Sequence, residues 1–136
     1  MNPVTVAYDD HRLWGNPNQQ DNRPYVEIFI YDKNRQQYEK LWALIDTGAD
    51  FLQVNESVAK NIGIDLQTQG AKNWIQTAGG GQIQVTEISQ VDVMIEGKFI
   101  KTKCLFAKNQ TPILGRVAVL AAIDVGFDVN GWLLKT

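Results

Sequence analysis

The feature that most constrains this chain is an apolar run, Leu41–Ile45, that leads directly into Asp46-Thr47-Gly48. A continuous run of this kind predicts a strand that is buried on both faces. A carboxylate at the end of such a strand is costly unless it is hydrogen-bonded or used in chemistry. Asp46 is therefore either a structural residue that bonds its own backbone in an Asx-type turn or a candidate catalytic residue.

Composition removes several other kinds of active site. The 136 residues include one His (His11), one Cys (Cys104) and two Ser. One His and one Cys cannot supply the ligands of a usual structural zinc site, and a disulfide within the chain is impossible. A Ser-His or Cys-His pair would have to use His11, which is far in sequence from either nucleophile. If the protein is an enzyme, we expect carboxylates to do its chemistry.

Net charge and hydropathy exclude further partners. The formal charge of -2 argues against a surface built to neutralise nucleic-acid phosphates or anionic lipid. No stretch approaches the roughly 18 apolar residues of a membrane span, and the N-terminus has neither a basic nor an apolar signal-peptide region. We therefore expect no nucleic-acid or membrane partner and a cytoplasmic location.

The chain divides into a polar leader, residues 1–24, and one domain, residues 25–136. Ten of the first 24 residues are Gly, Pro, Asn or Gln, although Val4 and Val6 indicate a short strand. The domain consists of short apolar runs separated by turn residues. Tyr25–Tyr31 predicts a strand with one buried face, and Ile113–Gly115 predicts a short one.

Hairpins and helices complete this prediction. Strands flank the glycine run Gly79–Gly81, a turn at Gly97 and the dipeptide Asn130-Gly131. Asn55 is expected to cap a helix over residues 57–62 that stops at Gly63. A second short helix is expected over residues 117–123.

The order of these segments resembles the retroviral-type aspartic proteases, the retropepsins. The resemblance rests on Leu44–Asp50, the glycine hairpin and Ile113–Arg116, and it extends over residues 25–134. The helix before Gly63 is similar to that of the cellular and bacterial single-domain members. The resemblance implies a mainly β, single-domain retropepsin-like fold with closed, barrel-like sheets, a glycine-tipped flap hairpin and one or two short helices.

The resemblance also implies roles for individual residues. Asp46, Thr47 and Gly48 would form the catalytic motif, with Thr47 bonding across a dimer axis. Asp50 would form a structural ion pair with Arg116. The alternative interpretation is that Arg116 is a surface residue at the start of a helix. The expected substrate-binding residues are Ala49, Asp50, Ala78, Gly79, Gly80 and Gly81. No metal or organic cofactor is implied.

Aspartic protease chemistry requires two carboxylates that share one proton. The chain contains one Asp-Thr-Gly motif, so the second carboxylate would be Asp46 of another copy, and the resemblance predicts a homodimer. The expected function is an endopeptidase that hydrolyses extended, largely apolar peptide segments.

Two other functions remain open at this point. The same fold could serve as a catalytically inactive, dimeric peptide-binding or assembly module, and the glycine hairpin could be a plain turn. A small β-barrel that binds nucleic acid fits the length, but not the acidic balance or the absence of a Lys/Arg-aromatic face.

Overall fold

The computed structural model describes residues 4–7, 25–46, 48–77, 79–95, 97–116, 124–128 and 131–135. Strands dominate these ranges: β1 Val4–Ala7, β2 Tyr25–Tyr31, β3 Tyr38–Asp46, β4 Leu52–Asn55, β5 Ala71–Gln76, β6 Gln82–Ile95, β7 Lys98–Ala107, β8 Ile113–Gly115, β9 Asp124–Asp128 and β10 Gly131–Lys135. Two short helices accompany them, α1 Ser57–Asn61 and α2 Leu66–Gln69.

Six of the strands close into a barrel. Their order is β2-β3-β8-β4-β7-β6, and β6 pairs back with β2. Closure removes free sheet edges from the barrel wall, because every strand has two neighbours. β5 lies outside the closed ring, where it pairs with β6 as an edge strand. The predicted mainly β fold with barrel-like sheets is therefore confirmed.

Alternating side chains explain how the barrel acquires its core. In β2, Val26, Ile28 and Ile30 are fully buried, whereas the residues between them are partly exposed. This pattern confirms the sequence prediction for Tyr25–Tyr31, because successive side chains of a strand point to opposite faces. β4 alternates in the same way, whereas Cys104–Ala107 of β7 are buried in succession, and the inward-facing residues of the barrel strands form one apolar core.

The prediction that Leu41–Ile45 is buried on both faces is wrong. Ala43 and Ile45 are buried, but Trp42 and Leu44 are only partly so. The reason is that β3 forms part of a barrel wall, and only one face of such a wall points into the core.

Helix α1 begins at Ser57 as predicted and ends at Asn61, one residue before the predicted end. Its N-cap is Glu56, which makes no side-chain capping bond, so the assignment of Asn55 as the cap is wrong. Asn55 belongs to β4, and its side chain instead accepts a hydrogen bond from the amide of Asn109 at 3.1 Å and donates to Ser57 Oγ at 2.9 Å. The predicted stop is confirmed: Gly63 has φ +75° and the Ile64 amide donates to the Ala59 carbonyl at 2.8 Å.

Helix α2 was not predicted. Asp65 caps it, because its carboxylate accepts a hydrogen bond from the amide of Gln67 at 3.0 Å. The helix is only four residues long, so its sequence carries no hydrophobic period.

The hairpins form where the sequence predicts them. β5 and β6 pair antiparallel from Ala71–Glu87 to Gln76–Gln82, and Gly80 at the tip has φ +85°. β6 continues into β7 through a turn at Gly97, which has φ +78°. Both glycines adopt a conformation that side chains disfavour, which explains their place in the sequence.

The terminal strands form a separate three-stranded sheet in the order β1-β10-β9. Its β9–β10 hairpin confirms the prediction around Gly131, and its β1 confirms the strand at Val4 and Val6. The helix expected over 117–123 lies outside the described residues, as does most of the leader. The division into a leader and a domain stays a prediction. None of the described helices has the length and apolar character needed to cross a membrane.

One carboxylate is nearly buried in the barrel wall. Asp92 is 7% exposed and accepts hydrogen bonds from Lys101 Nζ at 2.9 Å and from Arg35 Nε at 3.2 Å. Burial alone would raise the pKa of Asp92, but the hydrogen bonds and charges of Lys101 and Arg35 outweigh it and lower the pKa below its ordinary value. A lowered pKa means that the ionised carboxylate stabilises the fold.

We expect Asp92→Asn to lower the free energy of unfolding by about 1–3 kcal/mol at pH 7, because it removes a charge that both cations bond. The difference in unfolding free energy between the variant and wild type should shrink as pH falls below about 4, because the wild-type carboxylate then becomes protonated and loses its charge. Urea unfolding at a series of pH values measures both effects. The control is Asp32→Asn, since the amide oxygen can still accept the bonds that Asp32 receives from the backbone of Gln36 and Gln37. Equal losses in the two variants would contradict the interpretation.

Candidate active site

Asp46 lies where two parallel strands end together. It is the last residue of β3, and its partner in the parallel register with β8 is Gly115. The amide of Leu44 donates to the carbonyl of Pro112 at 3.0 Å, which extends this pairing to the residue before β8. The position of Asp46 is therefore fixed by main-chain bonds in the barrel wall.

The Asp46 carboxylate is only half satisfied by its own loop. Oδ1 accepts a hydrogen bond from the amide of Gly48 at 2.9 Å, and the Asp46 carbonyl accepts one from Ala49 at 3.2 Å. Within the described residues, Oδ2 has no hydrogen-bond partner, and the side chain is partly exposed. The Asx-type bond of the structural alternative is thus present, but it leaves one carboxylate oxygen available for other chemistry. Thr47 lies outside the described residues.

Gly115 allows the loop after Asp46 to cross β8 in close contact. A Cβ atom at this position would lie 2.5 Å from the Phe51 carbonyl oxygen and 2.6 Å from the Phe51 nitrogen. These are main-chain atoms, which cannot swing away as a flexible side chain would. The next amide, of Arg116, donates to the carbonyl of Ala49 at 2.8 Å. The absence of a side chain at 115 therefore lets the loop dock against the end of β8.

An ion pair spans the same crossing. Arg116 Nη2 donates to Asp50 Oδ1 at 3.0 Å, which brings together the two residues that the resemblance pairs. Both side chains are more than half exposed, at 56% and 62%. A pair this exposed contributes less than about 1 kcal/mol. In this chain the main-chain contacts of Gly115 and Arg116 hold the loop more firmly than the ion pair does.

The glycine hairpin is ordered at its tip by its own backbone. The amide of Thr77 donates to the carbonyl of Gly81 at 2.8 Å, and the amide of Gly80 donates to the carbonyl of Thr77 at 3.1 Å. Gly79 and Gly80 have no atoms near their Cα in the direction of a side chain. No hydrogen bond between described residues joins this tip to the Asp46 loop. Ala78 lies outside the described residues.

The comparison with known families agrees with this arrangement. The sequence profile of the family described as aspartyl protease matches residues 34–117, which is more than half of the chain. The chain belongs to the aspartyl protease family. The matched range contains Asp46, the glycine hairpin and Gly115-Arg116, and with the closed barrel it identifies the fold as retropepsin-like. A search among curated proteins found no match.

A small apolar cluster in this aspartyl protease domain was not predicted as part of the site. It joins the strands of the glycine hairpin, near the tip, to the loop after Asp46. Its members are Val85, Leu105 and Ala107, with the partly buried Phe51, Ile75 and Ile83 packed against them. Lys103 Nζ lies 4.7 Å from the centre of the Phe51 ring and covers one side of it. Alternation in β6 and β7 predicts that such residues share a face, but not which face lies beside Asp46.

The other reactive groups of the described protease domain do not form a competing centre. Cys104 is buried in the core, and this burial raises the pKa of its thiol far above the ordinary value, which makes it unreactive. Among the described residues, no group of three or more His, Cys, Asp or Glu side chains could hold a metal ion.

We expect Gly115→Ala to lower the free energy of unfolding by about 1–3 kcal/mol or more, because the new methyl group overlaps the main chain of Phe51. Gly79→Ala makes the same substitution where no atom lies within 4 Å, so it should change stability by less than about 0.5 kcal/mol. Thermal and urea unfolding of both variants checks this difference. Similar stability of the two would show that the Asp46 loop does not depend on close contact at Gly115.

Proposed function

We propose that this protein is an aspartic endopeptidase that acts as a homodimer, in which two Asp46 carboxylates activate a water molecule. The observation that carries the proposal is the state of the Asp46 carboxylate. One oxygen is held by the amide of Gly48, and the other has no bond within the described residues. Membership of the aspartyl protease family supports the same chemistry.

The reaction would proceed without a covalent enzyme intermediate. The ionised carboxylate removes a proton from water, and the water oxygen bonds to the scissile carbonyl carbon. The protonated carboxylate donates its proton to the carbonyl oxygen, so a tetrahedral diol forms. The carboxylate that took the water proton then gives it to the amide nitrogen, a hydroxyl of the diol returns a proton to the other carboxylate as the C–N bond breaks, and the dyad is left with one proton as before. Asp46 of one subunit serves as general base and Asp46 of the other as general acid.

The need for a second subunit follows from this chemistry. The chain contains one Asp-Thr-Gly motif. The nearest other carboxylate in sequence, Asp50, is bonded to Arg116. Two carboxylates that share a proton must lie close together, and a two-fold axis beside Asp46 would provide the pair. In this dimer we assign Thr47 the bond across the axis.

The substrate would bind between the Asp46 loop and the glycine hairpin. The assigned contacts are those of Gly48, Ala49 and Asp50 below it and of residues 78–81 above it, where the flap closes over the peptide. Gly79 and Gly80 allow close approach because nothing occupies the space where their side chains would be. The partly buried Phe51, Ile75 and Ile83 provide apolar surface next to this path. We therefore expect extended segments with apolar residues to be preferred.

We expect Asp46→Asn to reduce hydrolysis of a broad peptide library at pH 4 to 7 by at least about a hundredfold, because the amide can act neither as base nor as acid. Asp32→Asn, which makes the same change in a remote turn, should keep wild-type activity. Equal cleavage by wild type and Asp46→Asn would remove Asp46 from the mechanism. Peptide binding without turnover by wild type, surviving Asp46→Ala, would instead identify an inactive peptide-binding module.

Mixing subunits tests the shared dyad. Because a mixed dimer holds one intact Asp46, it should be inactive, so an equal amount of Asp46→Asn protein should lower wild-type activity to about half once subunits exchange. The same quantity of an unrelated protein should have no effect. The activity per milligram of wild type should also rise with its concentration. A dyad shared between subunits would be contradicted if added Asp46→Asn protein left wild-type activity unchanged and if total activity stayed proportional to the wild-type concentration.

A further inference from the structure

A large groove lies away from Asp46, against the other side of the glycine hairpin. We call it the helix–hairpin groove: it has a volume of about 1160 Å³ and is lined by residues of α1, α2, β5, β6 and the segment 106–109. Asp46, Gly48, Asp50 and the tip glycines are not among its lining residues. Drug-sized ligands occupy about 300–1,000 Å³, so the groove has room for several residues of a peptide.

The two faces of the hairpin explain why the groove is separate from the candidate active site. Residues 82, 84 and 86 of β6 line the groove and Val85 packs in the apolar cluster with Phe51, whereas Ile83 contributes to both. Neighbouring side chains of a strand point to opposite faces. The hairpin therefore presents one face mainly to the loop after Asp46 and the other mainly to the groove.

Three lysines from different elements meet at this groove. Lys60 comes from α1, Lys72 from β5 and Lys108 from the segment after β7, and all three are exposed. None of them has an ion-pair partner among the described residues. Two acidic residues also line the groove, but the Asp65 carboxylate is already bonded to the amide of Gln67 at the start of α2. With Glu56 as the other acidic residue, the lining residues carry a formal charge of +1, whereas the whole chain carries -2.

An aromatic side chain lies among these cations. Trp74 of β5 lines the groove and is 60% exposed, which is unusual for so large an apolar group. A tryptophan beside unpaired positive charges offers a packing surface for an apolar residue of an acidic partner, and exposed Trp is common at binding hot spots.

Strand β5 favours an extended partner. Among the described strands it pairs only with β6, and it ends the strand order of its sheet. Edge strands of this kind bind extended peptides, which add to the sheet through main-chain hydrogen bonds. Lys72 and Trp74 are two residues apart on β5, so their side chains share one face and can contact alternate residues of the partner.

We propose that the helix–hairpin groove binds an extended acidic peptide segment of a partner protein. Carboxylates of the segment pair with Lys60, Lys72 and Lys108, and an apolar residue packs on Trp74. This site shares Ile83 with the apolar surface beside the proposed substrate path, but it includes neither the Asp46 loop nor the tip glycines and does not depend on hydrolysis at Asp46.

The test uses the full-length Asp46→Asn protein, so that no probe is cleaved. The probe is a fluorescein-labelled octapeptide of alternating Glu and Val, and its binding is followed by fluorescence anisotropy. The matching peptides with Gln or Lys in place of Glu should bind about tenfold more weakly or not at all. Equal binding of the Glu and Gln peptides would overturn the requirement for an acidic partner.

Two charge-reversed double variants locate the site. Lys60→Glu/Lys72→Glu should weaken binding of the Glu–Val peptide about tenfold, since it reverses two groove charges. Lys33→Glu/Lys40→Glu changes the net charge equally outside the groove and should leave the affinity within about twofold. Equal losses in both would show non-specific attraction and overturn the proposal. Circular dichroism establishes that each variant is folded.

Two further measurements do not depend on charge-reversed variants. In the NMR spectrum of the Asp46→Asn protein, the Trp74 indole signal, assigned by Trp74→Phe, should shift on addition of the Glu–Val peptide. Wild-type protein saturated with a statine-containing peptide inhibitor directed at aspartic proteases should bind the probe as tightly as the Asp46→Asn protein does. An unshifted Trp74 signal, or weaker binding of the probe to the inhibitor-saturated protein, would overturn the groove as the site. Loss of the proposed proteolysis alone would leave these results unaffected.

Discussion

The parallel pairing of β3 with β8 is the interaction on which the candidate site depends. It places Asp46 opposite Gly115 and brings the loop after Asp46 across the end of β8. The crossing is possible only because position 115 has no side chain, since a Cβ would lie 2.5 Å from a main-chain atom of Phe51. Pairing in the barrel wall thus lets a short sequence, two apolar residues followed by one glycine, fix the position of a carboxylate that is distant in the chain.

The same crossing explains why the Asp46 loop keeps its conformation within one chain, although the proposed chemistry would need a second carboxylate. Main-chain bonds from Gly48, Ala49 and Arg116 satisfy the turn within one chain. They use one carboxylate oxygen of Asp46 and leave the other open. A carboxylate so held keeps its orientation without help from a partner, whereas acid–base chemistry with two carboxylates requires another to approach. The folding of the loop and the assembly of a dyad are therefore separable steps.

Local features of the fold were predictable from sequence, and contacts between distant segments were not. Apolar residues alternate with others along Tyr25–Tyr31, and this two-residue period located β2. Gly80 and Gly97 occupy turns with positive φ, and these glycines located two hairpins. Asn55 failed as a cap because a residue 54 positions away, Asn109, takes its side-chain oxygen. The apolar residues at 42 and 44 gave no sign that one face of β3 is partly exposed. The Asp46 motif was recognisable in the sequence, but the apolar cluster around Phe51 could not be predicted without the pairing register of β6 and β7.

The glycine hairpin lies between the apolar cluster beside the Asp46 loop and the helix–hairpin groove. Ile75 and Val85 hold one of its faces against the cluster beside the Asp46 loop, while Trp74 and Gln84 on the other face line the helix–hairpin groove. Alternation along β5 and β6 therefore decides which of their residues face the Asp46 loop and which face a groove that contains no residue of the Asp46 motif.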